Sequence, residues 1–317
     1  MRLQTWACTA AATLAAISCG CGGHVITKST VTAGAARPVA KDATREELID
    51  RYNGVARAVQ SLNATVELKP TAGSKYSGLI QEYHEVKAFL LAERPENIRV
   101  IGQVPVIGKT AFDMASDGET FRVSIPSKNK FLVGQVAAAR VSDKPIENLR
   151  PQHMLGAFLW PEIRREEEVL FEEFNDEAGR FYVLTVLRGG YHTEILRKIW
   201  FDRADLQVSQ LEDFAPHGVL LSDIHFSDWR AVDASATSSS SSPAGVASNG
   251  ATDFAHTIAI DRPHDDYKLD LQINKITLND PIPASKFQLE QPAGSELVHV
   301  GEDSQPQNPA AAKDHQR

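Results

Sequence analysis

The sequence predicts a mainly β (α+β) fold, with a single curved antiparallel sheet, or open half-barrel, of about a dozen strands and two helices filling the concave side. Short segments of alternating apolar and polar residues, separated by turn residues, recur along most of the chain and indicate strands. Two other segments have the spacing of amphipathic helices. A sheet with that many strands must curl or close, so the helices can fill its hollow.

Residues 1–18 predict a lipoprotein signal peptide. The segment Thr5–Ile17 is uncharged and mostly apolar, but it is too short to span a bilayer as a helix. Small residues then lead to Cys19, and residues 15–19 resemble the bacterial lipobox, with Ala16 at the place where that motif usually has Leu. The resemblance implies that Cys19 becomes the first mature residue and carries the lipid anchor. The alternative is a plain signal peptide with an incidental cysteine.

Cysteine usage agrees with export. Cys8 leaves with the signal peptide and Cys19 is consumed by lipid, so Cys21 alone remains and the mature chain can form no internal disulfide. Gly20 follows the lipidated cysteine, a pattern that resembles outer-membrane sorting in Gram-negative bacteria. We therefore expect a cell-envelope protein, anchored by lipid in the outer membrane and facing the periplasm.

Charge and length restrict the class of function. The 317-residue chain has a net charge of −8, and acidic and basic residues are mixed along it, which argues against nucleic-acid binding. No later apolar run has spanning length, so the membrane is expected to be contacted through Cys19. The predicted division of the chain is a signal peptide at 1–18, a flexible tether at 19–43, one domain at 44–300 and a disordered tail at 301–317.

The first helix has a clear start. Thr44 is the predicted N-cap, and Glu47 completes a capping box with it. An apolar stripe with helical spacing follows and predicts a helix that ends near Leu62. The members of the stripe are Leu48, Tyr52, Val55, Val59 and Leu62.

The rest of the domain predicts strands around a second helix. The first run of strands is expected near 63–70, 79–91, 96–104, 109–117, 119–126 and 128–134. A helix follows at about 147–159 and is stopped by Pro161. The second run is expected near 168–175, 180–188, 192–202, 206–214, 218–230, 253–262, 266–278 and 286–290. The Ser-rich segment 233–252 predicts a disordered insertion within a hairpin.

No motif identifies an enzyme or a cofactor site. Gly108-Lys109-Thr110 resembles the end of a phosphate-binding loop, but the required earlier glycine is replaced by Gln103 and no helix follows. His264-Asp265-Asp266 has no second cluster with ligand spacing, so a solvated turn is the simpler interpretation. We expect no catalytic residues, no metal and no cofactor.

Several phrases resemble the LolA/LolB-like outer-membrane lipoprotein-sorting family and its uncharacterised lipoprotein relatives. The phrases are Arg94 to Val100, Ala115 to Phe121, Pro126 to Phe131, Ile258 to Pro263 and Ile276 to Asn279. They match the family's order of weakly hydrophobic strands with Asp-Gly and Asn/Lys turns, over about residues 44–295. The resemblance implies a half-barrel in which helices act as plugs and an apolar cavity binds lipid or the acyl chains of lipoproteins.

The residues predicted to line that cavity are apolar, at period two on the strands and on one face of the second helix. They are Ile98, Val100, Phe112, Met114, Phe121, Val123, Met154, Leu155 and Phe158. Each buried methylene of a ligand would contribute about 0.8 kcal/mol. The alternative function is a structural or interaction lipoprotein of the envelope, with a filled core and a protein partner. An open apolar cavity would favour the first function, and a filled interior the second.

Overall fold

The protein is described by a computed structural model, which covers residues 38–74, 79–137, 148–176, 179–190, 192–233 and 251–300. Residues from Ala40 onward belong to one compact unit. The predicted signal peptide, Cys19, nearly all of the tether, almost the whole Ser-rich insertion and the tail at 301–317 lie outside the described residues, so those expectations stay predictions.

Two helices and fifteen strands make up the described fold. The helices are α1 (Arg45–Ala58) and α2 (Gln152–Phe158). The strands are β1 (Ser61–Ser74), β2 (Leu79–Glu82), β3 (Val86–Glu93), β4 (Asn97–Gln103), β5 (Thr110–Ser116), β6 (Thr120–Ile125), β7 (Lys130–Gln135), β8 (Glu168–Asn175), β9 (Arg180–Arg188), β10 (Glu194–Asp202), β11 (Val208–Ala215), β12 (Val219–Val232), β13 (Thr252–Arg262), β14 (Tyr267–Leu278) and β15 (Glu296–Val300).

All fifteen strands belong to one open sheet. Its order is β15-β7-β6-β5-β4-β3-β1-β14-β13-β12-β11-β10-β9-β8, with β2 paired to β1 beside this path. The two runs of strands predicted from the sequence meet where β1 pairs with β14, which joins the first and last parts of the domain. The predicted mainly β fold with one large open sheet and two helices is confirmed.

Alternation along the strands places the core on one face of the sheet. In β4 every second residue is buried, and β1 buries Leu62, Ala64, Val66 and Leu68 in the same way. Both helices pack against β13. Register shifts interrupt several pairs, for example between Thr65 and Val66 of β1, and such bulges increase strand bending. The apolar face of the long sheet can therefore curve around the helices.

Three details of the strands differ from the sequence-based expectation. The sheet is not purely antiparallel, because β15 pairs with β7 in parallel. The strand expected at 286–290 is wrong: a 3-10 turn occupies Ala284–Phe287, between prolines that cannot donate to a ladder. The segment 79–91 forms two strands, β2 and β3, rather than one.

The first helix confirms its predicted start but ends early. The Thr44 hydroxyl accepts from the Glu47 N–H, and the Glu47 carboxylate accepts from the Thr44 N–H, so the capping box is complete. The helix stops at Ala58 because the Asn279 side chain captures the next backbone: its Oδ1 accepts from the Gln60 N–H at 2.8 Å. Leu62, expected in the helix, lies in β1 and is buried there.

Two polar side chains connect α1, α2 and the sheet, and we call their contacts the helix clamp. The Arg94 guanidinium, between β3 and β4, donates to the carbonyl oxygens of Ala56 (2.7 Å), Val59 (3.0 Å) and Trp160 (2.8 Å). The buried Asn53 of α1 donates to the Ile163 carbonyl oxygen at 3.0 Å and accepts from the Ile163 N–H at 2.8 Å. The clamp therefore joins the end of α1 to the segment that follows α2.

We expect Asn53→Ala to lower the free energy of unfolding by about 2 kcal/mol, because both backbone groups of the buried Ile163 lose their partner. The measurement is urea unfolding followed by circular dichroism. The neighbouring Gly54→Ala is the control: a methyl group there meets nothing within 4 Å, so the variant should be more stable by up to about 1 kcal/mol. Equal stabilities of Asn53→Ala and the wild type would contradict the clamp.

Candidate functional site

The nine residues predicted to line a cavity all belong to, or pack against, one large apolar cluster, the core of the described domain, which also includes α1 and most of the other strands. Seven of them are buried in the cluster and two, Phe112 and Leu155, are partly buried against it. The buried seven are Ile98, Val100, Met114, Phe121, Val123, Met154 and Phe158. All nine therefore contribute to the core of the domain, as the residues of an ordinary packed core also would. That they line a cavity for an acyl chain stays a prediction.

Aromatic rings cover the strand side of this cluster. The Phe112 ring lies so close over Gly102 that a Cβ there would be 2.4 Å from it, and the Phe121 ring lies over Gly134 in a similar way. The Arg150 guanidinium sits 5.1 Å from the centre of the Phe121 ring. The inner wall is therefore closely packed in this state of the protein.

An apolar space lies where α1, α2, β12 and β13 meet, and we call it the apolar seam. It has a volume of about 10 Å³, room for about one water molecule. Its lining residues are all apolar: Val55, Ala56, Val59, Ala157, Phe158, Trp160, Phe226, Trp229, Phe254 and Ala255. The Trp160 ring packs edge-on against Phe226 (5.3 Å) and Trp229 (6.1 Å), and it stacks on Tyr52 (5.2 Å). Phe158 borders the seam and also belongs to the predicted cavity.

A much larger depression lies on the other face of α2, and we call it the arginine groove. Its volume is about 660 Å³. Its walls come from α2, the segment after it, the strands β9 to β12 and the end of β13. The lining residues are Arg94, Gln152, His153, Gly156, Pro161, Glu162, Arg164, Glu167, Arg188, Leu196, Arg197, Asp213, Phe214, Leu221, Ser222, Ile224 and Arg262. The groove is mixed in character, with charged groups beside apolar side chains.

Several polar groups in the groove are buried. The Arg197 guanidinium donates to the Pro161 carbonyl oxygen at 2.7 Å, while its Nε has no partner. Both amide atoms of the Gln152 side chain are also shielded and without a hydrogen bond. Burial raises the pKa of the Asp213 carboxyl, which accepts from the Ser222 hydroxyl at 3.3 Å. Unsatisfied buried polar groups are rare in folded proteins. Of the four such side-chain atoms found among the described residues, three lie in the groove and the fourth is Trp200 Nε1.

His153 of α2 is held neutral beside the groove. Burial and the nearby charges of Arg262 and Arg150 lower its pKa well below the usual range for histidine. Its Nδ1 is hydrogen-bonded to the hydroxyl of Tyr267, whose pKa burial raises, and lies 3.9 Å from Asp265 Oδ2. The neutral ring therefore adds no positive charge to the groove.

An apolar loop projects from the β4–β5 connection. The Val106 side chain is fully exposed and that of Ile107 is 66% exposed. The backbone is nevertheless ordered by hydrogen bonds from Ile107 N–H to Pro105 O (2.8 Å) and from Gly108 N–H to Val104 O (3.1 Å), with Val106 at a φ of 69°. We call Val104–Gly108 the apolar loop. A β-branched residue at positive φ is strained, so its exposure calls for a functional explanation.

Two kinds of site are not found in the described ranges. No group of three His, Cys, Asp or Glu side chains there could hold a metal ion. Among those residues, no helix has the length and apolar character needed to cross a membrane.

The sequence analysis missed the arginine groove. Its residues come from seven separate segments and share no motif, since Arg94 and Arg262 are far apart in the chain. One signal was available: Arg197 interrupts the apolar face of β10, between Ile195 and Ile199. A charge at such a position needs a partner, which could have indicated a polar site.

Comparison with known proteins gives structural likeness only. No protein-family model and no curated protein matches the chain. The structure is similar to a LolA superfamily protein from Nitrosomonas europaea (13% identity, covering 78% of this chain and 99% of that chain, TM-score 0.43). It is also similar to a DUF1329 family protein from Desulfovibrio piger (11%, 76% and 94%, TM-score 0.46) and to an outer membrane lipoprotein-sorting protein domain from Vibrio parahaemolyticus (11%, 77% and 97%, TM-score 0.44). The family that the sequence resembles is thus found again among structural neighbours, at identities and scores that give likeness and not membership.

We expect His153 to make the protein less stable in acid. The unfolded chain binds a proton at this histidine as the pH falls through about 6.5, whereas the folded protein resists it, so the free energy of unfolding decreases as pH falls. In His153→Gln this contribution is absent. Relative to the wild type, the variant should therefore gain stability between about pH 7.5 and about pH 5, by up to about 1.4 kcal/mol per pH unit. Urea unfolding at several pH values measures the slope.

The matched control is His84→Gln, because His84 is exposed in the β2–β3 connection. The stability of this control variant should change with pH in the same way as that of the wild type. A His153→Gln variant whose stability also runs parallel to the wild type would show that the histidine is not held neutral.

Proposed function

We propose that this chain is a membrane-anchored envelope lipoprotein that binds lipid, or the acyl chains of lipoproteins, between its sheet and its helices. The observation that carries the proposal is continuity. The nine predicted cavity residues and the lining of the apolar seam belong to one apolar cluster, or pack against it. An acyl chain that entered at the seam would contact the apolar side chains of Ala157 and Phe158 on α2.

Such binding requires the helices to move. The seam as described admits about one water molecule, far less than a fatty acyl chain. Burial of an acyl chain contributes about 0.8 kcal/mol per methylene, so a chain of about a dozen carbons supplies on the order of 10 kcal/mol to displace α2. The short α2, with seven residues, is the element that such a ligand would lift most easily.

The proposed membrane anchor and cellular location both depend on lipidation of Cys19. We propose that it carries the lipid and holds the protein at the outer membrane, facing the periplasm, where a lipid-binding domain would take part in lipoprotein transport or outer-membrane biogenesis. The 24-residue stretch from Gly20 to Ala43 would let the domain reach ligands near the membrane surface.

We propose that the apolar loop also contacts the membrane surface. Val106 and Ile107 have exposed apolar side chains. Lys109 follows them in the sequence and would lie beside anionic headgroups of the membrane. Two inserted side chains bind a membrane only weakly, so the loop would touch the bilayer reversibly while Cys19 supplies the stable attachment.

A second candidate is a structural or interaction lipoprotein with a protein partner. The closely packed inner wall favours it, and so does the open sheet edge at β8. There Leu170, Phe171 and Phe174 are all exposed, at 54%, 40% and 43%. A partner strand could pair with such an edge.

The binding test uses a fatty acid brominated along its chain, since bromine quenches tryptophan fluorescence on contact. On the Cys19→Ala chain, we expect saturable quenching of Trp160 and Trp229, which line the seam. Most of the quenching should disappear in the Trp160→Phe/Trp229→Phe variant. Displacement by the unlabelled fatty acid gives the affinity.

Trp200→Phe is the control for this measurement. Trp200 lies on the other face of the sheet, where it packs against Phe174 and Phe181. Removing it should leave the quenching unchanged. Absence of quenching in a folded protein, or equal quenching of all variants, would count against an acyl site at the seam and favour the interaction lipoprotein.

The loop is tested by membrane partitioning. We expect Ile107→Asp, made on the Cys19→Ala chain, to weaken binding to phosphatidylglycerol-containing vesicles in cosedimentation by about thirtyfold, because an isoleucine side chain contributes about 2 kcal/mol when buried. Val219→Asp is the control, since Val219 is also exposed but lies at the β11–β12 turn, in a different part of the chain from the apolar loop. Equal losses for both variants would show that the loop has no special role.

A further inference from the structure

We propose that the arginine groove binds the oxyanion of an anionic amphiphile, a phosphate ester or a carboxylate. It would hold the headgroup of the molecule whose acyl chain lies along the other face of α2. The inference rests on the proposed function, which supplies the acyl chain. The oxyanion site itself is argued from the groove alone.

The first argument is unpaired positive charge. Five lining residues are arginines and three are carboxylates. Within the part of the chain that the structure describes, Arg262 alone of the five forms an ion pair, with Asp265 at 2.9 Å. The other four guanidinium groups face one depression without a carboxylate partner, in a protein whose net charge is −8. They are Arg94, Arg164, Arg188 and Arg197.

The three carboxylates offset only part of this charge, and each of them also has a contact of its own. Glu162 pairs with Arg57 outside the groove at 3.0 Å. Glu167 accepts from the backbone N–H of Arg164 at 3.0 Å, and Asp213 accepts from the Ser222 hydroxyl. The five guanidinium groups outnumber the three groove carboxylates and Asp265, which leaves a small excess of positive charge. Burial is the main cause of the lowered pKa of His153, and the charges of Arg262 and Arg150 add to it.

The second argument is the set of unsatisfied buried donors. The donors Arg197 Nε and Gln152 Nε2 lie in the groove wall, shielded from water and without partners, as does the Gln152 Oε1 acceptor. A guanidinium N–H and a side-chain amide N–H are the donors that phosphate and carboxylate oxygens accept from most readily. Arg164 and Arg188 stand exposed at the rim, where they can close over a bound anion.

The third argument is the apolar part of the lining. Leu196, Phe214, Leu221 and Ile224 lie beside the arginines. A free inorganic anion would gain nothing from contact with these apolar side chains, whereas the first carbons of an amphiphile would be buried against them. The volume of the groove, about 660 Å³, also lies within the range of about 300–1,000 Å³ that is common for ligand sites.

The experiment compares three probes by titration calorimetry on the Cys19→Ala chain: decyl phosphate, decyl maltoside with the same tail and no charge, and inorganic phosphate. Arg164→Gln and Arg188→Gln remove rim charges, and Arg165→Gln is the matched control, since Arg165 is exposed next to Arg164 but does not line the groove. None of the three guanidinium groups makes a hydrogen bond that the fold depends on in the described part of the chain, so all variants should fold.

We expect decyl phosphate to bind the wild type more tightly than the other two probes. Each rim variant should raise its Kd by about tenfold, and the double variant by about a hundredfold, while Arg165→Gln leaves it unchanged. Decyl maltoside should bind all variants alike. Decyl phosphate that binds the double variant as tightly as the wild type would overturn the inference.

The remaining outcomes separate this inference from the proposed function. Binding of both amphiphiles with equal affinity would remove the headgroup site and leave the acyl site. Binding of inorganic phosphate through Arg164 and Arg188, without binding of either amphiphile, would leave an oxyanion site but overturn both the headgroup assignment and the acyl function. Inorganic phosphate that binds as tightly as decyl phosphate would identify free phosphate as the ligand and overturn the headgroup assignment.

Discussion

The helix clamp holds the rest of the interior in place. Arg94 donates to three carbonyl oxygens at the end of α1 and after α2, and Asn53 satisfies both backbone groups of Ile163. The seven residues of α2 are too few for a stable isolated helix, so the position of α2 is determined by these contacts and by its buried face. Because α2 separates the apolar seam from the arginine groove, the clamp sets the shape of both.

The two faces of α2 have opposite character, and this has a physical consequence. One face contributes Met154, Ala157 and Phe158 to the apolar cluster. The other presents Gln152 and His153 to a groove with unpaired guanidinium groups. An amphiphile has the same division into an apolar and a charged part. A seven-residue helix between the two environments can thus contact both parts of one ligand, which links the proposed acyl site to the inferred headgroup site.

Local signals in the sequence predicted the elements well and their ends less well. The capping box at Thr44 and Glu47 depends on four neighbouring residues and is present as expected. The end of α1 was misplaced because Asn279, more than 200 residues away, captures the backbone at Gln60. Similarly, the parallel pairing of β15 with β7 brings together segments that no local pattern connects.

The sequence by itself determined the mainly β class, the order of strands and helices, and the nine apolar residues that meet in one cluster. These follow from periodicity and caps, which involve residues close together in the chain. Only the tertiary structure decided where α2 lies and which charges surround it. Four arginines that form no ion pair within the described residues converge because the fold brings distant segments side by side, and their charges add in one depression. Such convergence has no signature in the spacing of residues along the chain.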